Sequence, residues 1–391
     1  MAGTRRRPGR MGPFIESYRQ ELLGRGYTPM SVRGVLQHVG ALGRWMETSD
    51  IEPADLNIEV IDEFVAFRRS GRAFVRTTRS LASLLDHLRD LGVVGPEPDP
   101  IVDPLLEAYR VWMFEDRGLA PLTVLRYETL AVRFLATIGG RPLGSMSGSD
   151  VNRFLLAEAS RVSVGAAKGR VAEMRSLLRF LFLTDRLDRD MAASVPPVAG
   201  WHDQGVPRGA KAPDVDRILG ACDPATLTGC RDRAMLMLVA RLGLRSAEVA
   251  RLELDDIDWR AGEFAVHGKA RRTDRLPLPV EVGEALTAWL ERRPETASRR
   301  VFVTTRAPIV VIRPSLVSES LRRVCLRCGV EVIGAHRLRH SLATDMLRQG
   351  ASLIEVGQVL RHQDIATTAI YAKVDLDTLR RLAQPWPAVQ A

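Results

Sequence analysis

An internal repeat constrains this chain more than any other feature. Glu16-Ser17-Tyr18, followed by Arg25-Gly26-Tyr27-Thr28-Pro29, is echoed by Glu107-Ala108-Tyr109, followed by Arg117-Gly118-Leu119-Ala120-Pro121. Toward the end of each copy leucines recur at three- and four-residue spacing, as Leu81, Leu84, Leu85 and Leu88 or as Leu177, Leu178 and Leu181. That is the period of an amphipathic helix, so two related helical bundles are predicted. Ser31 and Thr123 are placed to cap the helix after each Arg-Gly-x-x-Pro segment. Those helices carry Leu36 and Trp45 in one copy, Leu130 and Phe134 in the other. Proline clusters separate the parts: Pro96-Glu97-Pro98-Asp99-Pro100 first, then residues 194–213 with Pro196-Pro197. The division is a basic tail (1–11), a first bundle (12–95), a linker (96–104), a second bundle (105–192), a linker (193–212) and a C-terminal part (213–391).

The C-terminal part reads as mostly helical with a small antiparallel sheet around residues 257–279. Leu236, Met237, Val239 and Ala240 belong to a buried helix that delivers Arg245 at its far end. Further on, His336, Arg339 and His340 are spaced i, i+3 and i+4 and so share one helical face. Leu338, Leu342 and Met346 take another face, which leaves His336 and Arg339 for a cleft. Gly350 ends this helix, and Ser352 with Glu355 forms a capping box for the next. His362 and then Tyr371 follow.

These residue types suit attack on a DNA phosphodiester without a metal. Charge builds on the non-bridging oxygens in the transition state, and fixed cations must meet it there. Arginine stays charged at any working pH and can engage two oxygens together. A tyrosine hydroxyl, with an ordinary pKa of about 10, needs a base nearby, and His336 is the candidate.

The run from His336 to Leu347, then Val359-Leu360-Arg361-His362, then Thr367-Thr368-Ala369-Ile370-Tyr371 resembles the catalytic end of the tyrosine recombinases, the phage integrase family. Upstream, Gly243-Leu244-Arg245-Ser246-Ala247-Glu248 is similar to that family's first arginine motif. Phe264-Ala265-Val266-His267-Gly268-Lys269, followed by Arg275-Leu276-Pro277, resembles its β-hairpin. The resemblance implies a DNA breaking-rejoining fold, with Tyr371 as nucleophile and Arg245, Arg339 and His362 on the phosphate. It also implies that Lys269 protonates the leaving 5′ oxygen and that His336 assists proton transfer. Glu248 and His340 would support these groups, and His267 reads as a strand residue. Only four lysines occur among 56 basic residues, at 168, 211, 269 and 373, so an amine kept at the hairpin carries weight of its own. Arg361 departs from the pattern, because a glycine usually precedes the second histidine. Each N-terminal copy resembles the SAM-like helical core-binding domain of the family, of which a typical member has one. The segment 375–382, with Leu376, Leu379 and Leu382, reads as an amphipathic tail.

Composition is compatible with this reading. A net charge of +9 favours a polyanionic partner. The partners implied are double-stranded DNA, a tetramer of this chain on it, and sister recombinases or accessory DNA-bending proteins. The bond energy is conserved in a 3′-phosphotyrosyl link, so no cofactor, ATP or metal, is implied. Cys325 and Cys328 form a lone C-x-x-C without a second pair, a poor zinc site. No apolar run reaches membrane-spanning length and no secretory signal opens the chain, so a cytoplasmic, nucleoid-associated protein is expected. Integration, excision or transposition of a mobile element is the expected role. The alternatives are type IB topoisomerase-like relaxation and a catalytically idle DNA-binding subunit.

Overall fold

Each Arg-Gly-x-x-Pro segment runs into a helix whose first residue is the proline itself. A computed structural model describes residues 7–70, 79–96, 103–199, 209–268, 273–361, 368 and 371. In it α1 (Ile15–Gly24) is followed by α2 (Pro29–Thr48), and Thr28 caps α2 by accepting the Ser31 N–H. The caps expected at Ser31 and Thr123 are therefore corrected: both lie in the first helical turn. Proline is favoured there because its missing N–H would be unpaired anyway and its φ is already helical.

The described residues fall into two compact units, 1–95 with 205–391, and 96–204. In the first unit, α1 and α2 pack with α3 (Ile58–Ser70) and α4 (Arg79–Asp90) around Tyr18, Val39, Leu42, Met46, Phe64, Leu84 and Leu88. Tyr18 is buried but keeps its hydroxyl paired with Ser83 Oγ at 2.6 Å. The second unit repeats the order with α5 (Pro104–Glu115), α6 (Pro121–Ile138), α7 (Gly148–Ala159) and α8 (Val164–Leu183). Its core gathers Tyr109, Met113, Leu130, Phe134, Met174, Leu178 and Leu181. Buried Glu158 and Glu173 are each paired with arginines, as buried carboxylates must be.

The C-terminal part of the first unit begins with α9 (Ala212–Gly220), α10 (Leu227–Leu242) and α11 (Ser246–Arg251). Three antiparallel strands follow in the order β1 (Ile257–Asp258), β2 (Glu263–His267), β3 (Thr273–Pro277), with Phe264 opposite Leu276. The sheet expected around 257–279 is present, and Phe264 and Val266 point from it into the core. Then come α12 (Val280–Leu290), α13 (Pro314–Cys328), α14 (Ala335–Arg348) and α15 (Leu353–Val359). Nearly the whole of α10 is buried in the core, with Trp289, Phe302 and Leu321 around it. Cys325 lies in that core as a free thiol on α13. The capping box read at Ser352 and Glu355 opens α15. Ile309 N–H donates to the Arg25 carbonyl of the first bundle at 3.2 Å. Among the described residues no helix is long and apolar enough to cross a membrane.

Candidate active site

Helix α10 ends at Gly243, in the left-handed conformation at φ +60°, and this turn brings Arg245 to the N-cap of α11. Arg245 N–H donates to Glu248 Oε2 at 2.9 Å and its Nη1 to Glu248 Oε1 at 2.7 Å. The Arg245 side chain is still 46% exposed, so donors remain for a ligand. Glu248 itself is buried. Burial opposes its ionisation, but the guanidiniums of Arg361 and Arg245 and the Arg245 N–H outweigh that and hold its pKa below the usual range.

Helix α14 supplies three more residues. Arg339 is 2% exposed rather than presented to a cleft, and its two terminal nitrogens donate to the Gly243 and Leu360 carbonyls. Burial first, then the neighbouring Arg245 and Arg361, pulls its pKa down to about 10, which leaves it cationic at neutral pH. His336 is exposed, with its ring edge-on to His340 at 4.3 Å between centroids. The protein packed against one side of this ring, then Arg339 and Arg245, lowers its pKa.

Tyr371 returns to this helix. Its hydroxyl shares a hydrogen bond with His340 Nδ1, and only 1% of the residue is exposed. The hydroxyl donates when His340 carries its proton on Nε2. Burial pushes the tyrosine pKa up to about 12, against the opposing pull of Arg339. The aromatic ring packs with Ala343, Leu347, Val356 and Leu360 in a small separate core.

The structure thus brings together Arg245, Glu248, His336, Arg339, His340 and Tyr371. It places His340, not His336, on the tyrosine hydroxyl. Arg361, read from sequence only as a departure, is buried and pairs with Glu248 at 2.7 Å. His267 sits on β2, bonded to Asp256 at 2.8 Å and Thr273 at 3.0 Å, away from these contacts. Lys269, His362 and the 375–382 segment lie outside the described residues. So do residues 1–6 of the basic tail, 97–102 of the first linker and 200–208 of the second.

Residues 211–377 match the model of the phage integrase family. Over 97% of its length the chain is 38% identical to "Putative integrase/recombinase y4rA" of Sinorhizobium fredii, covering 95% of that protein. The chain belongs to the phage integrase family. As a tyrosine recombinase it is a DNA strand transferase of site-specific recombination. It is also 29% identical to the tyrosine recombinase XerC of Alcanivorax borkumensis, over 68% of this chain and 88% of that one. The recombinase fold matches that of XerH site-specific recombinase bound to palindromic difH substrate, at a TM-score of 0.56 and 18% identity over 83% of this chain and 94% of that one. A lambda integrase(75-356) dimer bound to a COC' core site gives 0.55 and 17%, over 73% and 98%.

Proposed function

We propose that the chain cuts and rejoins double-stranded DNA through a covalent 3′-phosphotyrosyl link on Tyr371. The observation that carries this reading is the Tyr371 hydroxyl bonded to His340 of α14, the residue next to Arg339, with the tyrosine electrostatically coupled to that arginine. As the Tyr371 oxygen bonds to phosphorus, the bond from phosphorus to the 5′ oxygen breaks. The tyrosine proton passes to His340, with His336 beside it. Arg245 and His362 meet the charge on the non-bridging oxygens, and Arg339 adds positive potential from its buried position. Lys269 returns a proton to the 5′ oxygen, so the link conserves the bond without ATP or a metal.

Religation to a different strand makes this recombination. The relative y4rA is named an integrase/recombinase, which supports integration, excision or transposition of a mobile element. A lambda integrase tetramer bound to a Holliday junction shares the fold at a TM-score of 0.53, which supports a tetramer of this chain on DNA, where sister recombinases or accessory proteins also fit. The test is Tyr371→Phe on a nicked substrate that traps the intermediate. The variant is expected to bind DNA but form no adduct. An adduct that survives denaturation in that variant would overturn the assignment, and relaxation without strand exchange by the wild type would move the reading to a topoisomerase.

A further inference from the structure

Arg361 occupies a position that penalises arginine twice. Its φ is +54°, in the left-handed region where side chains with a Cβ are disfavoured. It is 8% exposed, and among the described residues its Nε finds no hydrogen-bond partner, a cost for a buried cation. A glycine would remove both penalties. Arginine adds contacts that glycine lacks. Nη2 donates to Glu248 Oε2 at 2.7 Å and approaches the Gly243 carbonyl at 3.5 Å, while Nη1 donates to Val359 O at 3.2 Å. Glu248 is the carboxylate whose other oxygen accepts from Arg245, and Gly243 is the residue whose carbonyl also accepts from Arg339.

We propose that Arg361 is a positioning residue, which locks the end of α15 to the turn between α10 and α11 through Glu248 and so fixes Arg245 and Arg339 in one arrangement. Glu248 cannot do this alone. With Arg361 absent, the Arg245 pair remains and Arg339 still bridges the Gly243 and Leu360 carbonyls, but among the described residues Glu248 loses its own tie to the end of α15. Leu360 lies under the same lock, since its carbonyl accepts from Arg339 and its side chain packs with Tyr371. A lysine has one nitrogen and cannot span Glu248, Gly243 and Val359 together.

The inference rests on the Tyr371 reading above, and two measurements separate their failures. The first is single-turnover adduct formation by the full chain on the nicked DNA substrate, with DNA affinity measured alongside. R361G is expected to bind DNA like the wild type and to melt no lower, yet to form adduct about a hundredfold more slowly, the scale of a small misplacement of catalytic groups. R361K is expected to recover part of that rate. Wild-type rate in R361G overturns the proposal, and so does a loss of rate that only tracks a loss of binding and melting temperature. If R361G melts below the assay temperature, R361K carries the same test, with a reduced rate at full affinity in favour and a wild-type rate against. The second measurement is thermal unfolding of R361G, E248Q and the double variant without DNA. Shifts that do not add support the lock even where Tyr371 proves not to be the nucleophile, and additive shifts overturn it.

Discussion

With its hydroxyl buried against His340, Tyr371 keeps its proton to about pH 12 and needs a base at neutral pH. His340 makes the contact, and His336 stands edge-on behind it with a pKa held below the ordinary histidine value by burial, Arg339 and Arg245. A base with a depressed pKa stays neutral further into acid. Adduct formation is therefore expected to be flat above pH about 6.5, the ordinary imidazole value, and to fall only below it. H336Q is expected to shift that acid limb, because it removes the ring that stands against His340, and H340Q to lower the rate at every pH. A wild-type limb centred above this value and unchanged in H336Q would remove His336 from the proton path. Residue identity and spacing gathered His336, Arg339, His340 and Tyr371 as candidates, and the family resemblance added Arg245. They could not say which histidine meets the hydroxyl, since both share a helical face and the answer depends on where the chain returns 31 residues later. Arg361 was hidden for the same reason, its partner Glu248 lying 113 residues upstream.

Elements were legible where local chemistry decides them. The alternation in β2, the burial of α10 and the box that opens α15 follow from side-chain periodicity and capping, which neighbours in sequence settle. The starts of α2 and α6 were misplaced because proline at the first helical position outweighed the hydroxyl residues two places on. The turn after α10 depends on a tertiary approach that sequence does not display. A Cβ on Gly243 would meet Leu360 Cδ2 at 2.7 Å and Leu342 Cδ2 at 3.2 Å. Gly262 shares the positive φ, at +65°, but has open space around it. Both alanine variants pay about 1–2 kcal/mol for the left-handed backbone, and only G243A adds an overpacking cost of about 1–3 kcal/mol. Urea unfolding should place G243A below G262A, and equal midpoints would mean that the contact with Leu360 yields freely.

At the scale of the molecule, the XerC relative accounts for 68% of this chain, whereas y4rA aligns over 97% of it. The chain therefore extends beyond its alignment with that XerC, and the internal repeat makes the first bundle the candidate for the added part. That bundle closes a core of its own, from Met11 to Val94, without borrowing a residue from the other clusters. Its described ties to the C-terminal part include the Ile309 N–H on the Arg25 carbonyl and the close approach of the Ile309 side chain to Gly26. With a chain charge of +9, a second helical module has an electrostatic reason to lie on DNA beyond the cleaved site, since each neutralised phosphate adds affinity by releasing counterions. Removing residues 1–95 is accordingly expected to shorten the stretch of DNA protected in a footprint, to flatten the salt dependence of binding, and to leave Tyr371-dependent adduct formation intact. A footprint of unchanged length, with assembly of several subunits on DNA lost, would assign the first bundle to a neighbouring subunit instead of to DNA.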